Sequence, residues 1–198
     1  MTKSTAALAL LSLILSFNTS AKVESSGNGG FIVLNTVSVN AAADTVWQAL
    51  VNDVDRWWPK DHSWWTGTFS IDARAGGCFC ERAGERSAEH MRISFVDPAK
   101  QLVMTGGLGP LQAMGMTGAL NWQLEQTGAD TTISLRYHVQ GYSESGYKDL
   151  APVVDHVQGL QLKALADFLT TAKTLFFFYP SRKLIKFCRK DIIKYCHQ

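Results

Sequence analysis

The histidines of this 198-residue chain are the first candidates for chemistry, because imidazole acts as a general base or a metal ligand near neutral pH. The chain has five: His62, His90, His138, His156 and His197. They form no His-Glu-x-x-His pattern and no pair at ligand spacing. Neighbouring residues place His138 on the solvent face of a strand and His156 off an apolar helical stripe. His62 is the one remaining candidate for contact with a ligand, although no neighbouring residue is arranged to orient it, and neither a metal nor a cofactor is predicted.

Two short motifs come close to catalytic or phosphate-binding patterns without completing them. Residues 141–145 read Gly-Tyr-Ser-Glu-Ser, and the tight turn of a hydrolase nucleophile requires glycine at the last position. The glycine-rich residues 104–118 lack the Gly-Lys-Ser/Thr ending of a phosphate loop. The sequence thus leaves catalysis undecided and favours non-catalytic binding.

The four cysteines fall into two pairs. Cys78 and Cys80 would point to one face of a strand, slightly too far apart for an easy mutual disulfide. Cys188 and Cys196 lie in a C-terminal segment of unusual composition. A Cys-x-Cys pair alone supplies too few ligands for a metal site. Because the pair cannot easily form a disulfide with itself, free and packed thiols are expected. Whether Cys78 and Cys80 face the core is left open.

Residues 55–67, called here the tryptophan segment, hold four of the six tryptophans in the chain. The four are Trp57, Trp58, Trp64 and Trp65. Adjacent side chains point in different directions, so about half of them are expected to face inward. They either form a platform on which a ligand stacks or close one end of the core. Insertion into a membrane is less favoured, because Lys60, Asp61 and His62 interrupt the apolar surface.

The segment 104–118 combines glycines, which permit backbone mobility, with methionines, which give an adaptable apolar surface. Two interpretations stay open: a plain connection between strands, or the flexible rim of a ligand site. Met104 and Met114 are the candidate contacts here, and Met91 is a further candidate on a nearby strand.

The hydrophobic pattern predicts the elements that position these residues. A strand over residues 31–39 precedes a helix over 42–51, and a second short helical piece ends before Pro59. Six further strands are predicted over residues 68–73, 78–82, 90–96, 101–105, 117–125 and 131–140.

A long helix is predicted over residues 149–172. Its apolar stripe is expected to consist of Leu150, Val153, Val154, Val157, Leu160, Gln161, Ala164, Leu165 and Phe168. Trp122 and Tyr137 lie on the apolar faces of the last two strands. The order of elements predicts the α+β class, with a curved antiparallel sheet of about seven strands wrapped around the C-terminal helix.

Four segments carry a resemblance to the SRPBCC superfamily of START-like, polyketide-cyclase and pollen-allergen proteins, and within it to heat-shock-ATPase-activator-like proteins. They are residues 43–50, 56–59, 76–81 and 96–102. The resemblance covers roughly residues 31–172 and implies a helix-grip fold with an apolar cavity between sheet and long helix. The candidate ligand contacts, in the cavity or at its rim, are Trp57, Trp58, Trp64, Trp65, Met91, Met104, Met114, Trp122, Tyr137, Val157 and Gln161.

Residues 1–21 have the order of a secretory signal peptide: Lys3, a largely apolar run over 6–17, and small residues at 19–21. Twelve residues are too few to cross a bilayer as a helix. We expect a signal peptide over 1–21, a linker over 22–30 and a domain over 31–172. The protein is then exported, in a periplasmic location; an uncleaved N-terminal helix is the alternative.

Charge is distributed unevenly along the chain. Residues 22–169 contain eleven basic and sixteen acidic residues, a balance that disfavours nucleic acid as a partner. Residues 173–198 form a basic tail with seven Lys or Arg against one Asp. Such a tail either contacts an anionic membrane or a partner, or is an unselected extension. The second interpretation is favoured.

Three classes of function follow from these features. The favoured one is binding or carriage of an apolar small molecule in the cavity implied by the resemblance. The second is a cyclase- or hydratase-type enzyme in which Tyr137 is the first candidate acid or base. The third is a co-chaperone, as the resemblance suggests by name, although export argues against it. The fold alone decides none of them.

Overall fold

Eight antiparallel strands form one sheet in the computed structural model, which describes residues 20–178. The strands are β1 Ser20–Gly27, β2 Gly30–Val39, β3 Thr68–Ile71, β4 Cys78–Ala83, β5 Arg86–Asp97, β6 Gln101–Thr105, β7 Thr117–Thr127 and β8 Asp130–Gln140. The helices are α1 Ala43–Asn52, α2 Val54–Trp57 and α3 Leu150–Phe178. The predicted α+β class, with two short helices and a long final helix, is confirmed.

The sheet order is β1-β2-β8-β7-β6-β5-β4-β3. Strands β3 to β8 therefore run as a meander, and the last of them pairs with β2. Helices α1 and α2 carry the chain from β2 to the opposite edge of the sheet, where β3 begins. Helix α3 packs mainly against β2. The tryptophan segment follows α1 and lies between α3 and the β3 edge.

Strand β1 corrects the predicted linker over residues 22–30. It pairs antiparallel with β2, with Lys22 opposite Leu34. A two-residue turn at Asn28 and Gly29 joins the two strands, and the Asn-Gly dipeptide favours such hairpins. The strand is polar because it lies at the sheet edge with most of its described side chains exposed. The predicted count of about seven strands omitted this one.

The expected signal peptide and basic tail lie largely outside the described residues. Of the expected signal peptide, only residues 20 and 21 are described. The basic tail over 173–198 overlaps the structure only at its start, because α3 continues to Phe178, past the expected domain boundary at residue 172.

The buried face of helix α3 overlaps the predicted stripe but is rotated from it. Val153 and Leu160 were expected on the buried stripe but are 58% and 41% exposed. The buried residues are Ala151, Val154, Gln158, Gln161, Leu162, Leu165, Ala166 and Leu169, of which Val154, Gln161 and Leu165 were on the predicted stripe. The N-terminal half of α3 borders a pocket, so an apolar residue such as Val153 faces the pocket there instead of the core.

An irregularity in the pairing of β4 with β5 turns a polar side chain inward. Phe79 lies opposite Met91 and Cys80 opposite Glu89, so His90 is the extra residue of a bulge. As a result, His90 and Met91 are adjacent in sequence and both buried. Strict alternation would have placed one of them in solvent.

The structure contradicts the prediction of free thiols in β4. Cys78 and Cys80 form a disulfide, and their Cα atoms are 5.4 Å apart, within the usual range for this bond. The shift in register between Phe79 and Cys80 is the local feature that an ideal strand spacing did not anticipate. Phe79 and Glu81 point into the protein, so the disulfide lies on the outer face of the sheet.

Candidate functional site

A pocket of about 370 Å³ opens between the N-terminal half of α3 and the concave face of the sheet. The tryptophan segment forms a second side, and residues 106–116 between β6 and β7, called here the rim loop, form a third. Its lining consists of Trp58, Asp61, His62, Ser63, Trp64, His90, Leu108, Gly109, Pro110, Leu111, Met114, Tyr137, Leu150, Val153, Val154, Val157, Gln158 and Gln161.

A buried carboxylate holds the tryptophan segment against the sheet. The backbone amides of Trp64, Trp65 and Gly67 donate to the Glu81 carboxylate at 3.0, 3.0 and 2.9 Å. Position 67 requires glycine because a Cβ there would lie 2.5 Å from the Arg82 carbonyl oxygen and 2.9 Å from the Glu81 side chain. Glu81 is thus a structural anchor that fixes the backbone next to Trp64.

His90 completes the set of donors to Glu81. Its Nε2 lies 3.2 Å from Glu81 Oε2, and both side chains are buried. Burial raises the pKa of Glu81, but the amides of the tryptophan segment and His90 more than offset this, so the pKa is lowered. Burial lowers the pKa of His90, and Glu81 opposes that only partly. A neutral His90 beside an ionised carboxylate donates through Nε2, which leaves Nδ1 as an acceptor.

The hydroxyl group of Tyr137 fixes the rim loop. It donates to the Gly106 carbonyl oxygen at 2.9 Å and accepts from the Leu108 amide at 3.0 Å. Burial raises the pKa of Tyr137 to about 12. Tyr137 was the first candidate acid or base, but its hydroxyl proton is held by a backbone carbonyl. The geometry gives this side chain a positioning role.

The α3 side of the pocket carries a row of polar side chains. Gln158 Nε2 donates to Gln161 Oε1 at 3.1 Å, and Gln161 Nε2 lies 3.4 Å from His62 Nδ1. The row connects α3 with the tryptophan segment. Among the described residues, Gln158 Oε1 is the one buried side-chain oxygen or nitrogen without a hydrogen-bond partner.

The structure separates the eleven predicted contact residues into two sets. Six line the pocket: Trp58, Trp64, Met114, Tyr137, Val157 and Gln161. Four others, Trp57, Met91, Met104 and Trp122, are buried in the hydrophobic core away from the pocket lining. Trp65 is half-buried beneath the Arg86 guanidinium, 5.5 Å from its ring, and is also outside the lining.

The tryptophan segment contains two inward and two more exposed rings. Trp57 and Trp58 are buried, and their indole nitrogens donate to the carbonyl oxygens of Ala49 and His62. Trp64 is 45% exposed at the pocket mouth. The interpretation as one end of the core therefore describes Trp57, whereas Trp58 and Trp64 border the pocket, where stacking of a ligand stays a prediction.

Sequence reasoning missed three polar residues of this site: Glu81, His90 and Gln158. The alternation in β4 does pair Glu81 with inward-facing Phe79, so one parity choice would have found it. His90 depends on the bulge, which has no sequence signal here. Gln158 could have been found as a member of the same helical row as Ala151, Val154 and Gln161.

The electrostatic character of the lining is simple. Asp61 is the only carboxylate among the described lining residues, and no lysine or arginine is among them. Within residues 20–178, no group of three or more His, Cys, Asp or Glu side chains is arranged to hold a metal ion. No helix of the described chain is both long and apolar enough to cross a membrane.

Known structures share this architecture at low sequence identity. The crystal structure of CalU16 from Micromonospora echinospora superposes with a TM-score of 0.54 at 17% identity, covering 80% of this chain and 89% of that one. DynU16, a protein in the dynemicin biosynthetic locus, gives 0.53 at 21% identity over 71% of this chain and 48% of its own. The Aha1 dimer from Colwellia psychrerythraea gives 0.50 at 16% identity, over 70% and 95%.

These likenesses concern the fold. No curated protein sequence matches the chain. The family model described as "Activator of Hsp90 ATPase homolog 1-like protein" matches residues 40–169, from the end of β2 to the core-packed part of α3. That match spans more than half of the chain and includes every residue lining the pocket. The chain therefore belongs to the Activator of Hsp90 ATPase homolog 1-like family, within the SRPBCC superfamily that its sequence resembles.

Proposed function

We propose that this protein binds a mostly apolar small molecule in the pocket between α3 and the sheet. The observation that carries the proposal is the pocket itself: about 370 Å³, at the lower end of the range of roughly 300–1,000 Å³ for small-molecule sites. Its walls are mainly apolar and aromatic, with a few polar groups at defined positions. That combination is typical of sites that gain affinity from apolar burial and specificity from hydrogen bonds.

Tryptophan fluorescence tests this proposal directly, because Trp58 and Trp64 border the pocket. Uncharged apolar probes, aromatic and aliphatic, should change the emission and raise the melting temperature as their concentration rises. The protein must first be stripped of co-purified lipid. If no apolar probe alters either signal, the pocket does not bind such molecules and the proposal fails.

Glu81 and His90 favour a second candidate, a cyclase-type enzyme acting on a carbonyl compound in the same pocket. A base oriented by a carboxylate is a recurring arrangement in enzymes, and His90 Nδ1 has no hydrogen-bond partner among the described residues. His90 would abstract a proton next to the carbonyl group. The test is deuterium exchange at that carbon of a bound ketone: the protein should accelerate it, and H90Q should not.

A co-chaperone role is the third candidate, since the name of the family refers to activation of the Hsp90 ATPase. We favour it least because we also propose export, based on the signal-like order of residues 1–21. The Cys78–Cys80 disulfide supports export, because such bonds persist in oxidising compartments. Cell fractionation with N-terminal sequencing tests this. Intact Met1 in the cytoplasmic fraction would overturn export and restore the co-chaperone candidate.

A further inference from the structure

We infer that the pocket selects an uncharged, mostly apolar alcohol or phenol, whose hydroxyl group donates a hydrogen bond to Gln158 Oε1. This inference rests on the proposed binding function and specifies the chemical class of the ligand. It is based on two hydrogen-bond acceptors in the pocket wall, Gln158 Oε1 and His90 Nδ1, which have no donor among the described residues.

Gln158 carries the inference. The side chain is only 2% exposed, lines the pocket, and has no donor for its Oε1. A buried amide oxygen without a partner destabilises a protein, so such atoms are rare in native interiors. A ligand hydroxyl would supply the missing hydrogen bond. The cost of the unpaired oxygen in the free protein would then become a gain in affinity on binding.

The row of side chains on α3 determines which atom of Gln158 is presented. Because Gln158 Nε2 donates to Gln161 Oε1, the carbonyl oxygen of Gln158 remains at the end of the row. Gln161 Nε2 then requires an acceptor, and His62 Nδ1 is in position. A reversed row, in which His62 donates and both amides are turned over, would present the Gln158 amino group instead. It would predict a preference for ketones and ethers over alcohols.

A second acceptor lies on the opposite side of the pocket. His90 donates through Nε2 to Glu81, so its Nδ1 accepts, and the side chain lines the pocket. Both unpartnered polar groups, on α3 and on β5, therefore call for donors from a ligand. This agreement between two separate elements favours hydroxyl groups over carbonyl groups.

The charges of the pocket lining disfavour carboxylic acids that have the same shape as the alcohols. The described lining residues include Asp61 but no lysine or arginine, and the lowered pKa of His90 keeps that residue neutral. A carboxylate placed here would lose its hydration without gaining a cationic partner, which is strongly unfavourable. Fatty acids should therefore bind worse than the corresponding alcohols.

The experiment uses two matched series of probes, naphthol with methoxynaphthalene and naphthoic acid, and decanol with its methyl ether and decanoic acid. Dissociation constants are measured by titration of tryptophan fluorescence at pH 7. In each series we expect the alcohol or phenol to bind about tenfold more tightly than the ether, the scale of one net hydrogen bond. The acid should bind most weakly of the three.

The variant Q158M assigns the preference to Gln158, because methionine keeps the approximate volume and removes the amide. In Q158M the ratio of ether to alcohol dissociation constants should fall close to one. The matched control is V157A, which removes apolar contact from the preceding residue of α3. It should weaken binding of both probes to a similar extent and leave their ratio unchanged.

The outcomes separate the two proposals. Equal binding of alcohol and ether, or tighter binding of the ether, would overturn the inference while the binding function stands. A hydroxyl preference that persists in Q158M would also overturn it. Absence of binding by every probe would overturn the binding function and, with it, this inference. If Q158M folds poorly, the ratio in the native protein still overturns the inference whenever the ether binds as tightly as the alcohol.

Discussion

The two sides of the pocket differ in how completely their buried polar atoms are paired; His90 Nδ1, on the sheet side, also lacks a partner among the described residues but is not among the buried atoms. On the sheet side, the Glu81 carboxylate has four hydrogen-bond donors and the Tyr137 hydroxyl has both a donor and an acceptor. On the α3 side, Gln158 leaves an oxygen unpaired. Polar groups that are fully paired contribute to the stability of the loops that they hold, whereas an unpaired group at a pocket wall is available to a ligand.

Polar residues beside the same pocket have different expected roles because their hydrogen bonds differ in completeness. Tyr137 was the first candidate for acid-base chemistry and Glu81 is a carboxylate, but each is occupied in fixing a loop. Gln158 has no titratable group, yet its Oε1 is the buried side-chain atom that the described residues leave without a hydrogen bond. Predictions that separate stability from binding are therefore the ones that test this difference.

The largest effect is expected for E81A. Loss of the buried carboxylate leaves three backbone amides and His90 without their acceptor, so the free energy of unfolding should fall by about 3–5 kcal/mol. Urea unfolding at pH 7 measures it. The control E125A, at an exposed position of β7, should leave the unfolding midpoint unchanged. A loss below 1 kcal/mol in E81A would show that Glu81 does not anchor the tryptophan segment.

For Y137F we expect a smaller loss, about 1–3 kcal/mol, because the Leu108 amide and the Gly106 carbonyl oxygen lose their common partner. Hydrogen exchange at the Leu108 amide should accelerate more than exchange in β8 itself. Binding of an apolar probe at the native level would agree with a positioning role that other contacts support. Unchanged exchange at Leu108 would mean that Tyr137 does not hold the rim loop.

The stability of the protein should decrease as the pH falls below about 6.5, the ordinary pKa of histidine. The pKa of His90 is lowered by burial, so the unfolded chain takes up this proton before the folded protein does. The stabilisation from neutral His90 is fully present above the pKa that this residue has in the unfolded chain. It is lost as the pH falls through the lower pKa that His90 has in the folded protein. Chemical unfolding from pH 7.5 to 5 measures it. H90Q should have a flatter profile, and an identical slope in both proteins would contradict the assignment.

Trp64 should affect binding more than stability. In W64A we expect a loss of about 1–2 kcal/mol in binding of an apolar probe, the scale of one aromatic contact. Because the ring is half-exposed, the thermal midpoint should change little. W65A is the matched control, since Trp65 lies outside the pocket lining. Equal loss of binding in both variants would show that the mouth of the pocket is elsewhere.

The smallest effect on stability is expected for Q158M. Removal of an oxygen that has no partner offsets the loss of the hydrogen bond to Gln161, so the free energy of unfolding should change by less than about 1 kcal/mol in either direction. Y137F also removes one polar group but should cost more stability than Q158M, because the Tyr137 hydroxyl is fully hydrogen-bonded. A loss in Q158M as large as in Y137F would mean that both pocket sides are equally important for stability.

The periodicity of the sequence was sufficient for the elements that lie within one hydrophobic pattern. The alternation around Tyr137 and Trp122 predicted β7 and β8, and helical spacing predicted the existence of α3. These elements depend on local backbone geometry and on one buried face, both of which a single sequence records. Strand β1 was missed because an edge strand needs no apolar face, so its polar residues looked like a linker.

The site itself was only partly predictable. Trp58, Trp64, Met114 and Gln161 were predicted as ligand contacts by residue type and position; they line the pocket, and their contact with a ligand stays a prediction. Whether each bulky side chain fills the core or borders a space is a property of three-dimensional packing. For that reason Trp57 and Trp122 could not be separated from Trp58 in advance.

The sequence by itself determined the α+β class, the order of most elements and the concentration of tryptophans in residues 55–67. Only the tertiary structure decided the polar contacts. The bulge in β5 turns His90 inward, the register shift in β4 brings Cys78 to Cys80, and the rotation of α3 buries Gln158 instead of Val153. Each outcome depends on how one segment pairs or packs with another, which local periodicity does not encode because it describes each segment alone.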